Sequence, residues 1–561
     1  MKRYALIAFA LVLQGLGSLP AVALRVGWAV GIIATTQLFA CECSSDDFGN
    51  NNISVNNGNA ICGDYNADFY ARCPCFPSTK QAVPTRDCCC GSDHYKRSRT
   101  FMFTRPINQH LCIDQAMWSS FIHREKKGCA TSFNITAAYQ QSIGDRETAQ
   151  YFLPFCHNYV LVSGDANKKN LLIRDVRAEW LGLPSDFNQL MSLNPKQRQV
   201  GCTFTYNQDI GTMFESDLLR GTWIEIKAPV VAVDNYLNFH EFNKSSCLPQ
   251  CAGPLTRAFT RPGLHYSKLC NHTSTVQLAE VNIKFGRTYL SDNESMIAYY
   301  SMASLPSAKK QDPRYLFDAV AGFNQHVGFG GGALTQVLLN RDNSCVSQCF
   351  FLNLECLFLI RHDELRTYDL TGKPWSRYLQ LVNVDGPLGV TVPAANVLTR
   401  DTQVHPYCMV DFSTGFRFKT PNSEFEVGYN VWGHAREELV LKCPFEPCWG
   451  IAGDFTGVTP DDLAPGANTV TASESNISKQ TPNNRDLNGK FMFVPIKKSD
   501  LDLNTGAAQA SLNQKMHMAF GYVGGGKKID GLVGVGGYFD WTQKNTALKA
   551  AGAWAKVGAS F

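Results

Sequence analysis

The chain has 561 residues, so it must form either several domains or one large closed architecture. It has 52 Lys and Arg residues against 48 Asp and Glu, and this balance of +4 excludes a strong electrostatic field for nucleic acid. Charged residues are 18% of the chain, below the roughly 25% of soluble domains, and 21 cysteines argue against a reduced cytosolic enzyme. The composition favours an exported protein with an apolar outer surface.

The N-terminus predicts export. A basic start and the apolar stretch 4–17 precede a small-x-small site at 21–23, which is the order of a signal peptide. We therefore expect a signal peptide over residues 1–23, with cleavage as late as residue 40 if a second apolar stretch is also removed. Cleavage there would leave Cys41 as a candidate for lipidation, and an uncleaved anchor is the alternative.

Residues 41–97 are dense in cysteine, which predicts a stapled, loop-rich segment that acts as a cap or a plug. Close pairs farther along the chain predict further disulfides in loops, namely Cys247 with Cys251, Cys345 with Cys349, and Cys443 with Cys448. A metal site of soft thiolates is the alternative, formed by Cys73, Cys75, Cys88, Cys89, Cys90 and His94. The spacing and the oxidising context favour disulfides.

From residue 98 onward the recurring pattern has period two. Apolar side chains alternate with polar ones in the runs 224–228, 279–285, 424–436 and 516–522, and the longest runs have about ten residues. A tilted strand of that length crosses a bilayer. Soluble β-sandwiches show the same alternation, but their strands are usually shorter. The pattern predicts an all-β fold, with a large antiparallel transmembrane β-barrel over residues 98–561.

Strand density sets the expected size of that barrel. At about one strand per 25 to 35 residues, the region would hold roughly 13 to 18 strands, and we expect an even number such as 14 or 16.

The polar faces of these runs predict the wall of a lumen. The candidate lumen-lining residues are Glu225, Lys227, Glu280, Lys284, Glu424, Glu426, His434, Arg436 and Lys556. Both signs of charge occur, so strong ion selectivity is not expected. The glycine-rich run 328–333 matches a dinucleotide motif, but a glycine-rich strand or turn is favoured because no alternation of strands and helices surrounds it.

The chain ends on an aromatic residue, Phe561, with Ala559 and Val557 on the same face of the last run. This terminus resembles the C-terminal strand of Gram-negative bacterial outer-membrane β-barrels, although Ala559 is smaller than the residue usual there. The resemblance implies that Phe561, Ala559 and Val557 form a signal for the barrel assembly machinery. It also implies a location in the bacterial outer membrane, with the lipid bilayer, that machinery and small solutes as partners, and no nucleic acid.

These patterns predict a pore, a transporter or a surface structural protein, with no catalytic residue, cofactor or metal ion. One alternative is a secreted, disulfide-rich adhesion or structural β protein. Another is a surface hydrolase carried by the barrel, which would need His434 and a neighbouring carboxylate in one pocket.

Overall fold

A computed structural model of the chain describes residues 98–117, 131–154, 159–167, 174–243, 246–250, 253–290, 295–340, 346–383, 390–452, 469–470, 495–525, 529–542 and 546–561. The expected signal peptide, Cys41 and the cysteine-rich segment 41–97 lie outside these residues.

Twelve long antiparallel strands of the described chain form a closed up-and-down barrel. They are β1 (Thr131–Ile143), β2 (Lys196–Asp209), β3 (Thr222–Tyr236), β4 (Val281–Leu290), β5 (Met296–Leu305), β6 (Gly328–Leu338), β7 (Ser347–Leu359), β8 (Tyr407–Lys419), β9 (Ser423–His434), β10 (Ser511–Gly525), β11 (Asp530–Thr542) and β12 (Lys549–Ser560). Each strand pairs with the next in sequence, and β12 pairs with β1 to close the sheet. A closed sheet leaves no edge whose amides lack partners, which is the requirement for crossing lipid.

The predicted fold class is confirmed, but the predicted strand number is wrong. The barrel has twelve strands rather than 14 or 16 because much of the chain lies in long connections. These connections join the strands at one end of the barrel and span residues 144–195, 237–280, 306–327, 360–406 and 435–510. At the other end the connections are 210–221, 291–295, 339–346, 420–422 and 526–529. We call these two ends the loop end and the turn end.

The long connections fold into a second layer of short elements, which we call the loop cap. Its strands are Tyr159–Ser163, Val176–Arg177, Asn188–Ser192, His240–Asn243, Ser246–Gln250, His272–Leu278, His362–Thr367, Asp369–Leu370, Gln380–Asn383, Thr391–Pro393, Thr399–His405, Glu438–Leu441, Trp449–Ala452, Thr469–Val470 and Leu501–Asp502. Its helices and 3₁₀ turns are Asp145–Phe152, Ala178–Leu181, Pro254–Thr260, Ser376–Tyr378, Ala394–Leu398, Lys498–Asp500 and Leu503–Gly506, and the turn end carries Ile210–Met213 and Asp217–Leu219. His272–Leu278 pairs with the loop-end half of β3.

The loop cap has its own hydrophobic core. Trp375 is fully buried, packs against Phe259 and Tyr378, and donates its indole N–H to the carbonyl of Phe152 at 2.7 Å. Residues from all five long connections contribute to this core, so the connections are packed together rather than independent.

The outside of the barrel is a band of exposed apolar side chains. On β10, for example, Met516, Met518 and Phe520 are each more than half exposed, whereas His517 and Ala519 between them are buried. Other members of the band are Phe133, Phe204, Phe285, Phe329, Phe358, Phe416, Phe425, Val533, Val535, Phe539 and Val557. An apolar surface that encircles a closed barrel, with polar side chains turned inward, is the arrangement of a barrel in lipid. This exterior indicates that the barrel spans a lipid bilayer.

No helix within the described ranges is long and apolar enough to cross a membrane.

Candidate functional site: a plugged lumen

Residues 98–117, which we call the plug segment, lie inside the barrel. They precede β1 and end in a short helix, α1 (Leu111–Gln115). The amide of Ile107 donates to the side-chain oxygen of Gln199 on β2 at 2.8 Å. At the far side of the lumen, the side chain of Arg417 on β8 donates to the carbonyl of Gln115 at 2.9 Å. Contacts to opposite walls mean that the plug segment occupies the lumen.

Arg105 is the first polar anchor of the plug segment. Its guanidinium forms a buried ion pair with Asp411 on β8 and donates to the side-chain oxygen of Asn430 on β9 at 3.1 Å. It also donates to the carbonyl of Gln109 at 2.8 Å and lies 5.3 Å from the ring centroid of Trp432. The Arg105 and Asp411 side chains are 4% and 9% exposed, so this pair is shielded from water.

The α1 helix is the second anchor. Lys556 on β12 points its ammonium at the carbonyls of Ile113, Asp114 and Ala116, at 2.8, 3.2 and 3.1 Å. These carbonyls lie at the helix C-terminus, where they have no partner within the helix and where a cation is favourable. Lys227 on β3 pairs with the carboxylate of Asp114 at 2.6 Å. The wall thus supplies one cation that binds the free carbonyls of α1 and a second cation that pairs with its carboxylate.

Two further groups of charges line the wall. Lys284 lies 3.0 Å from Glu355 and 3.7 Å from Glu225, which gives one buried cation two carboxylates. On β8, Arg417 lies 2.6 Å from Glu426 and 3.6 Å from Glu424. The same group includes His517 on β10, whose Nε2 is 3.0 Å from Glu426. The lumen therefore contains clusters of paired charges beside apolar clusters, such as the one that Ile113 and Met117 form with Trp554 on β12.

The structure brings eight of the nine lumen candidates together in the interior. Glu225, Lys227, Glu280, Lys284, Glu424, Glu426, His434 and Lys556 are all buried. Arg436 is exposed and donates to the side chain of Asn504. Strand β9 ends at His434, so the alternation on which Arg436 was chosen does not continue that far.

His434 lies beside aromatic rings. Its Nδ1 is 2.9 Å from the carbonyl oxygen of Ala435, and its ring is 5.0 Å from that of Phe103 and 5.4 Å from that of Trp432. In the described part of the chain, no carboxylate bonds to this imidazole. The hydrolase alternative required such a pair, and this geometry does not provide it.

Only one of the three predicted disulfides, Cys443 with Cys448, has both side chains among the described residues, and it is not supported. Cys443 and Cys448 are free thiols, and Cys349 is buried on β7. Cys251, Cys345 and the side chain of Cys247 lie outside the described residues. Among the residues that are described, no group of three or more His, Cys, Asp or Glu side chains could hold a metal ion.

The C-terminal residues complete the barrel seam. The amide of Phe561 donates to the carbonyl of Thr131 at 2.9 Å, and the amide of Thr131 donates back at 3.0 Å. Val557 and the ring of Phe561 are both about half exposed on the outer surface, at 49% and 53%. The role of Phe561, Ala559 and Val557 as an assembly signal stays a prediction.

No protein-family model matches the chain, and no curated protein matches it significantly. Solved structures with a similar architecture include an outer-membrane channel from Pseudomonas putida F1, at 7% identity and a TM-score of 0.35, covering 78% of this chain and 99% of that one. The Pseudomonas putida toluene transporter TodX is 7% identical, with a TM-score of 0.30 and coverages of 84% and 97%. The transport unit of the Escherichia coli autotransporter AIDA-I is 7% identical, with a TM-score of 0.25 and coverages of 82% and 99%. TM-scores this low say nothing about substrate or activity.

Proposed function

We propose that this protein is an outer-membrane channel or transporter whose polar lumen is closed by the plug segment. The turn end, which also carries the start of β1 and the end of β12, would face the periplasm, because outer-membrane barrels have short periplasmic turns and longer extracellular loops. The loop cap would then lie outside the cell.

The observation that carries the proposal is the set of buried charges that joins the plug segment to the wall, beside apolar contacts such as the cluster of Met117 with Leu532. Arg105, Lys227 and Lys556 each join the two through buried charges. Buried ion pairs are a poor means of permanent attachment, because apolar residues of similar volume often stabilise as well or better. A charged wall is instead well suited to being solvated by water after the plug segment leaves.

The experiment compares full-length protein with a variant that lacks residues 98–117, in liposomes suspended in isosmotic arabinose. We expect rapid swelling with the variant and slow swelling with the full-length protein. Folding is checked by the mobility of boiled and unboiled samples on a detergent gel, with reductant present in both. A folded variant whose liposomes swell no faster than the full-length ones would contradict the proposal.

A surface structural protein is the second candidate, and the loop cap favours it. The loop cap has a buried hydrophobic core, which includes Trp375 and its aromatic neighbours, and this core holds the outer end of the protein in one packed structure. Such a protein would exclude solutes with or without the plug segment, so the swelling experiment distinguishes the two functions.

A further inference from the structure

The plug segment begins inside the loop cap. The hydroxyl of Ser98 donates to the carboxylate of Asp369 at 2.6 Å. The amide of Thr100 donates to the carbonyl of Thr505 at 2.9 Å, and its hydroxyl donates to the carbonyl of Thr367 at 2.6 Å. All three acceptors belong to the long connections, and Ser98 is fully buried among them. The first described residue of the plug segment is therefore held at the loop end.

The next contacts of the plug segment lie at the loop end of the wall. The ring of Phe103 is 5.0 Å from that of His434, the last residue of β9. The hydroxyl oxygen of Thr104 accepts from the side-chain nitrogen of Gln197, the second residue of β2, at 3.1 Å. Both wall residues lie where their strands meet the long connections. The plug segment thus enters the lumen from the loop cap.

The last contacts of the plug segment lie near the turn end. Arg417, which binds the carbonyl of Gln115, is close to the turn-end limit of β8. The side chain of Met117 fills the space beside Gly534, close to the start of β11 at the same end. The order of these residues in the chain follows their height in the barrel. The plug segment therefore passes through the whole lumen, from the loop end to the end at which β1 begins.

The filled lumen leaves no path for the chain to return. The cavity beside α1, which is lined by Asn134, Asn207 and Lys556 among others, has room for about one water molecule. An extended chain needs about 5 Å in one direction and about 10 Å in the other. A second pass of the chain would therefore collide with the plug segment or with the wall in the part of the lumen that the structure describes.

The length of the chain sets a second limit. Cys90 is eight residues before Ser98, and a chain of that length spans at most about 28 Å when it is fully extended. A strand of 13 residues such as β1, tilted by about 40°, climbs roughly 33 Å along the barrel axis. Ser98 lies beyond the top of that distance, in the loop cap. Cys90 therefore cannot reach the turn end by any route.

We propose that the plug segment threads the barrel and that residues 63–97, which include Cys73, Cys75 and Cys90, are displayed on the loop-end side. The side of the membrane rests on the proposed function, which puts the loop cap outside the cell. The sequence left open whether the cysteine-rich residues form a cap or a plug, and this route favours a cap. The barrel then has a second function, because it anchors a segment that is presented to the surroundings of the cell.

The test is an epitope tag, inserted at one site at a time in the full-length protein and stained with antibody on intact and on permeabilised cells. One tag follows Arg86. The reference tags follow Gly372, which is exposed in the loop cap, and Glu215, which is exposed in the turn-end connection 210–221. We expect the Arg86 and Gly372 tags to stain intact cells as strongly as permeabilised ones, and the Glu215 tag to stain only permeabilised cells. Each variant must keep the heat-dependent gel shift.

An Arg86 tag that stains in the same way as the Glu215 tag, and unlike the Gly372 tag, would overturn the proposal. If the Arg86 and Gly372 tags both require permeabilisation while the Glu215 tag does not, the orientation in the proposed function is wrong and the threaded route stands. Staining does not depend on permeation. An Arg86 tag displayed by a barrel whose liposomes never swell would therefore refute the channel and leave the display intact.

Cross-linking in the purified protein is a second measurement, for use if a protease removes the Arg86 tag in cells. Benzoylphenylalanine placed at Phe103 should cross-link on illumination to the peptide that contains His434. The same group placed at Met117 should cross-link to the peptide that contains Gly534. The exchanged pattern, or no cross-link from either position to the wall, would overturn the threaded route.

Discussion

Replacing Arg105→Met should open the barrel. Methionine keeps much of the side-chain volume but removes the ion pair with Asp411 and the bonds to Asn430 and Gln109. Breaking a buried pair by removing one partner costs about 3–5 kcal/mol, because the other charge stays buried without compensation. Asp411 keeps bonds from the Leu111 amide and from Asn430, which favours the lower end of that range.

A cost of about 3 kcal/mol shifts the equilibrium between plugged and unplugged barrels by roughly a hundredfold. The penalty falls on the plugged state, since water would solvate Asp411 once the plug segment has left. The assay is ion conductance across a planar bilayer, recorded as the fraction of time in which each barrel is open. We expect that fraction to rise by about two orders of magnitude unless it saturates.

Arg198→Met is the matched control. Arg198 on β2 pairs with Asp234 at 2.7 Å, but its side chain is 46% exposed, and exposed pairs contribute about 0–1 kcal/mol. The double variant Arg105→Met, Asp411→Leu removes both buried charges and should restore much of the closure. A correctly folded Arg105→Met protein whose open fraction matches that of Arg198→Met would refute the reasoning.

Three further predictions concern the plug end and the loop cap. A side chain at Gly534 would collide with Met117, so Gly534→Val should raise the conductance and Met117→Ala should reverse the effect. Trp375→Ala should destabilise the loop cap by about 3–5 kcal/mol, seen as faster proteolysis of the loops with an unchanged heat-dependent gel shift. Burial raises the pKa of Glu364, but the charges and hydrogen bonds of Arg366 and His326 together outweigh it, so the pKa lies below its ordinary 4.5. Ionised Glu364 therefore stabilises the loop cap at pH values above 4.5. This stabilisation is lost as the pH falls below 4.5 and through the lower pKa that Glu364 has in the folded state. Protease resistance should hold from neutral pH to about pH 5 and decline below about 4.5, and Glu364→Gln should reduce the pH dependence.

The wall of the barrel was predictable because its signal is local. Residues 516–522 alternate strictly, and the structure turns Met516 and Met518 outward and His517 inward, as the period of a strand requires. The same rule identified Glu225 and Lys227 on β3.

The strand number and the plug segment depend on contacts between distant residues. Residues 98–117 show no strand period, and Arg105 is buried only because it meets Asp411, 306 positions later. The long connections were counted as possible strands, whereas hydrophobic residues such as Trp375 assemble them into a separate core. A basic residue among apolar ones in an exported barrel, as at Arg105, is the signal that could have suggested an interior segment.

The most direct test of a lumen closed by residues 98–117 is single-channel recording of the variant that lacks them, before and after a synthetic peptide of that sequence is added on the turn-end side. We expect steady conductance that the peptide blocks, and much weaker block by a peptide carrying Arg105→Met. A folded variant that never conducts, or that conducts with equal block by both peptides, would contradict a plug held by its paired charges.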